Sequence, residues 1–101
     1  MRARVITAQL KYDQLGEAQR LYQEAFLPIA QQQAGFKSAL LLIDRNSCQS
    51  LLITVWASDA DLRASESATD YQRPLLQVAQ LFANTPMRML YEAETLHAVA
   101  S

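Results

Sequence analysis

Two glycines, three prolines, one cysteine, one histidine and one tryptophan are spread over 101 residues. The lone Cys48 excludes an internal disulfide framework and any multi-cysteine zinc site. The lone His97 excludes histidine-rich metal centres and the HExxH arrangement. With so little glycine there is no phosphate-cradling loop, so nucleotide binding by that route is out. Neither sign of charge dominates: nine Lys and Arg face ten Asp and Glu, for a net charge of −1. A general nucleic-acid binder would carry a basic surplus. No apolar run approaches the roughly 18 residues of a membrane-spanning helix. Arg2 and Arg4 are followed by no long apolar stretch, so the start does not read as a signal peptide. The expectation is a cytoplasmic protein with no metal, no cofactor, no nucleic-acid partner and no membrane association.

What is present is globular. Half of the residues are hydrophobic and 19% are charged, a balance that disordered chains do not have. The length suits one small domain over 1–101, with a core of about 2–93 and a small, mostly polar tail at 94–101. Residues 2–9 are β-branched at their centre and predict a strand. Asp13 is placed to cap a helix over about 14–33, in which Leu15, Ala18, Leu21, Tyr22, Ala25, Phe26 and Ile29 recur at helical spacing. Pro28 should bend this helix or end its regular part, and Gly35 is placed for a left-handed stop. Two apolar runs, 36–44 and 50–56, flank the polar turn Asp44-Arg45-Asn46-Ser47 and predict an antiparallel hairpin. Ser58 caps a helical piece over 59–67; Pro74 is read as the break before a second piece over 72–83. Residues 87–93 read as the last strand. The order β-α-β-β-α-β is that of an α+β, ferredoxin-like antiparallel sheet covered by helices on one face.

Alternation along the hairpin then predicts a partner. Ala39, Leu41 and Ile43 take one face of their strand, Leu40 and Leu42 the other. Leu51, Ile53 and Val55 oppose Leu52, Thr54 and Trp56 in the same way. Helices cover only one face, and a monomer does not tolerate so large an apolar patch on the other. A second copy packed sheet to sheet about a two-fold axis is the economical answer; a different protein seated there is the alternative.

The element order, Ala34-Gly35-Phe36 entering the second strand, and Val55-Trp56-Ala57-Ser58-Asp59-Ala60-Asp61-Leu62 together resemble the antibiotic biosynthesis monooxygenase superfamily of dimeric α+β barrels. The resemblance covers about residues 2–93 and is one of pattern. It implies a pocket between sheet and helices, with Trp56 on its wall. That family includes cofactor-free oxygenases of phenols and quinols, haem-degrading oxygenases, and proteins with no known reaction. Three positions depart from it. Thr54 stands where many members have glutamate. Leu52 stands where members that oxidise aromatics have a polar asparagine. Ser65 falls where the haem-degrading members place their iron-binding histidine, so haem degradation is disfavoured.

The candidate ligand-binding residues are Trp56, Tyr71 and Arg88. Trp56 is either a core aromatic or a stacking wall. Tyr71, near the helix break, could turn its phenol into a cavity; Tyr22 and Tyr91 are expected half-buried with their hydroxyls in water. Arg73 and Arg88 could anchor an anion, against solvated or ion-paired roles. Asp61, Glu66 and Asp70 read as a solvated helical face. His97 is expected in solvent and Cys48 as an incidental thiol near the turn. No residue is assigned as catalytic. Two functions compete: a cofactor-independent oxygenase of a small planar aromatic, and a non-catalytic dimeric module that binds a small ligand or a partner.

Overall fold

The computed structural model describes residues 1–99. Strand β1 spans Arg2–Gln9 as expected. The helical stretch after it has three parts: α1 (Leu15–Leu21), a π-helical turn (Tyr22–Phe26) and α2 (Leu27–Ala30). Pro28 accounts for the disturbance, since it has no N–H to give the carbonyl four residues back, and the wider π turn lies just before it. The stretch ends at Ala30, three residues short of 33. Gln14, not Asp13, holds the N-cap position and makes no side-chain capping bond. Gly35 has φ +77° and closes the turn into β2 (Phe36–Asp44). Its carbonyl accepts from the Ala57 N–H at 2.7 Å, and the Asp61 carboxylate lies where a β-carbon would stand.

Asp44 shapes the hairpin turn by accepting from the Asn46 N–H at 2.9 Å, and Cys48 completes it in left-handed conformation at φ +64°. Strand β3 follows at Gln49–Trp56 and α3 at Asp59–Ser67. Ser58 Oγ caps α3, accepting from the Asp61 N–H at 3.1 Å. The helix break falls at Ala68, which is extended, and not at Pro74. Helix α4 (Thr69–Ala79) therefore starts three residues earlier than 72 and ends four earlier than 83. Pro74 sits inside it and forfeits only the one bond its N–H would have made. Strand β4 is Met87–Glu92. Residues 94–99 form neither helix nor strand, and the last two positions of the expected tail lie outside the described residues.

The strands form one antiparallel sheet in the order β2-β3-β1-β4. Its register sorts the residues into rows. Ser38-Val55-Ala3-Tyr91, Leu40-Ile53-Val5-Met89 and Leu42-Leu51-Thr7-Met87 run across the open face. Ala39-Thr54-Arg4-Leu90 and Leu41-Leu52-Ile6-Arg88 run across the face under the helices. There the core gathers Leu52 and Trp56 with Ala18, Tyr22, Phe26, Leu62, Tyr71 and Val78. The hairpin faces are those predicted by alternation. No helix among the described residues is long and apolar enough to cross a membrane.

Candidate functional site

The covered face carries a cation in its interior. Arg4 is only 3% exposed. An interior guanidinium loses its water and needs partners to replace it. Three neighbours do so. The Tyr71 hydroxyl accepts from Nη2 at 2.5 Å and Ser65 Oγ from Nη1 at 3.3 Å. The Arg4 guanidinium also lies 5.6 Å from the Trp56 ring centre and 5.3 Å from that of Tyr71, within cation–π range. Both rings are fully buried. The Trp56 indole N–H donates to Thr54 Oγ1 at 3.1 Å, and Ser65 Oγ donates to the Leu62 carbonyl at 2.6 Å. Every polar group thus serves to fix another.

The elements explain the convergence. Arg4 and Thr54 are partners across β1 and β3, so they point to the same side. Ser65 comes down from the last turn of α3, and Tyr71 from the first turn of α4, just past the Ala68 break. At the rim, Glu66 bridges two arginines. One of its oxygens is 3.6 Å from Arg4 Nη1 and is also paired with Arg88 Nη2. Burial raises the Tyr71 phenol above its ordinary pKa, with the Arg4 charge acting the opposite way. Burial alone pushes Tyr22 to about 12.

A cleft of about 280 Å³ opens beside this cluster, between the π turn and the hairpin, with Tyr22, Phe26, Leu41 and Leu52 among its lining residues. Phe26 stands between the cleft and the polar cluster. Its ring meets Tyr71 edge to face at 5.3 Å, and Tyr71 meets Trp56 at 5.6 Å.

Of the expected ligand residues, Trp56 and Tyr71 are in contact deep in the interior, while Arg88 stands at the rim and reaches them only through Glu66 and Arg4. Three expectations need correction. Glu66 is an ion-pair bridge and not part of a solvated face. Asp61 is half-buried, packed between Gly35 and Ser58. Tyr22 is buried, one helical turn on from buried Ala18. Tyr91, Arg73 and His97 are exposed, and Cys48 is buried at the turn. Ser65, in the place of the haem-ligating histidine, is committed to Arg4 and Leu62, so the donor set does not fit a haem iron. Among the described residues no group of His, Cys, Asp and Glu could hold a metal ion. Sequence reasoning missed Arg4. The signal was available in period-2 alternation, which places Arg4 on the same side as Ile6 and Ala8.

A four-stranded sheet of this order, helices on one side and a polar cluster sealed between, is a ferredoxin-like α+β fold. It is the fold of the antibiotic biosynthesis monooxygenases. No family model matches the sequence, and no curated protein does. Solved structures match over nearly the whole chain. SnoaB, a cofactor-independent oxygenase from Streptomyces nogalater, is 18% identical with a TM-score of 0.79, covering 94% of this chain and 95% of its own. A protein described as an antibiotic biosynthesis monooxygenase is 16% identical with a TM-score of 0.76, over 94% and 100%. A protein of unknown function from Nitrosomonas europaea is 18% identical with a TM-score of 0.77, over 99% and 95%.

Proposed function

We propose that this chain is a cofactor-independent oxygenase of a small planar hydroxyaromatic, a phenol or quinol, working as a cytoplasmic homodimer. The observation that carries the reading is the buried Arg4 held against Trp56 and Tyr71 inside this fold. Leu52, Thr54 and Ser65 stand where the resemblance implies asparagine, glutamate and histidine, which on chemistry alone favours a non-catalytic module. Arg4 and Tyr71 supply polar groups of their own in the same interior.

In this reading the substrate enters by the cleft at Tyr22 and Leu52, and Phe26 turns aside to admit it. Its ring packs on Trp56. Its oxygen sits against the Arg4 guanidinium beside the Tyr71 hydroxyl, and the guanidinium stabilises the oxyanion. An electron-rich oxyanion ring gives electrons to molecular oxygen. One oxygen atom forms a new bond to a ring carbon, that carbon's hydrogen is lost, and the other oxygen atom leaves as water. A phenol plus O2 thus gives a quinone plus H2O, and a quinol plus O2 gives a hydroxyquinone plus H2O. Neither needs an added reductant.

The test is oxygen uptake with a panel of hydroxyaromatics and quinols, alongside quenching of the single tryptophan. One class should quench saturably and consume oxygen. Arg4→Met should then lower kcat/KM by about 100-fold or more, the scale of a lost oxyanion donor. Absence of uptake with every class, or full turnover in Arg4→Met, would overturn the reading.

A further inference from the structure

We propose that the Glu66 carboxylate is an internal stand-in for a ligand anion, and that the seat between Arg4 and Arg88 takes the carboxylate of a small organic acid. The proposal rests on the reading that this interior receives a ligand, and not on the oxygen chemistry.

Three observations carry it. First, the charges do not balance: two guanidinium groups share one carboxylate, and both approach the same oxygen of it. Second, the inner contact is loose. Glu66 stays 3.6 Å from Arg4 Nη1, beyond hydrogen-bond distance, whereas a guanidinium suits a carboxylate docked on two parallel N–H groups. Arg4 is itself 3% exposed and fixed from behind by Tyr71 and Ser65, so it cannot move out to meet a partner. Third, Glu66 can leave. Its side chain is 29% exposed, and it sits in the last turn of α3, two residues before the extended Ala68.

Swinging Glu66 into water would vacate a space the size of a carboxylate. Arg4 Nη1 forms its floor, and Arg88, on the edge strand β4 and 48% exposed, forms its outer wall. An incoming carboxylate keeps the pairing of both arginines that Glu66 gave up. Because the ligand must displace Glu66, the apparent affinity is reduced by the fraction of molecules in which the seat is filled by the protein's own side chain. Removing the internal charge should therefore tighten binding.

The experiment is calorimetric titration of the whole chain with benzoate, with benzyl alcohol as the uncharged control. Benzoate should bind and benzyl alcohol should bind at least tenfold more weakly. Glu66→Gln should bind benzoate about tenfold more tightly than the unaltered protein. Arg88→Gln, at a position 48% exposed on β4, should bind it about tenfold more weakly. Far-ultraviolet circular dichroism confirms that each variant is folded. The proposal is overturned if benzyl alcohol binds as well as benzoate, if Glu66→Gln gains nothing, or if no binding of benzoate occurs in either protein. Benzoate binding without oxygen uptake on any phenol or quinol would leave the seat standing and remove the oxygenase reading; the reverse pattern would do the opposite.

Discussion

Arg4 and Tyr71 depend on each other. A buried guanidinium is tolerated when its donors are met, and removing one acceptor exposes the cost of the rest. Tyr71→Phe keeps the ring against Trp56 and Phe26 and deletes only the hydroxyl. We expect it to lower stability in urea unfolding by about 1–3 kcal/mol, the cost of one stranded buried donor. In an Arg4→Met background the same change should cost much less, because no donor is left unmet; equal costs in both backgrounds would show that the bond contributes nothing. Trp56 was legible as a candidate only through the family resemblance, and Tyr71 because it stands near a helix break expected at Pro74 and found at Ala68. Arg4 was not. Arginine is rarely fully buried, so one near a chain start reads as solvated charge until the sheet order puts its strand in the middle.

Between the elements, one glycine does two jobs. Gly35 turns the chain left-handed out of α2, and its bare α-carbon lets Asp61, in the first turn of α3, lie against it. Gly35→Ala adds both backbone strain and overlap with a carboxylate that Ser58 holds at 2.9 Å. It should cost about 1–3 kcal/mol, read as a lowered Tm in a thermal melt; an unchanged Tm would mean the α3 end yields freely. The strands and this glycine were readable because alternation and a left-handed stop are local patterns. The helix interruptions were not. Pro28 signalled a disturbance, but a π turn and a bend differ only in how tertiary packing takes up the extra residue. Pro74 drew attention from Ala68, where nothing in the side chain marks a break. The extended Ala68 lies between Ser65, which bonds Arg4, and Tyr71, which packs on Trp56.

For the whole molecule, the open face of the sheet is the dominant surface feature. Leu40, Leu42, Met87, Met89 and Tyr91 are all exposed there, in three rows interrupted only by Ser38 and Thr7. The homodimer proposed above buries it. Ile53, between Leu40 and Val5 at the centre, is the place to test this. Sedimentation at micromolar concentration should give a dimer for the unaltered chain and a folded monomer for Ile53→Asp, since an unpaired charge at the centre of an apolar interface is strongly unfavourable. A monomeric unaltered chain would refute the sheet-to-sheet contact. The strand order also governs when the interior comes into being. β2 and β3 are joined by a tight turn and can pair at once. β1 must wait for β3, and then for β4 from the far end of the chain, and such distant pairings are the slow ones. Arg4 comes from the first strand and Arg88 from the last. Only a chain that has completed its sheet therefore brings its two arginines to one carboxylate.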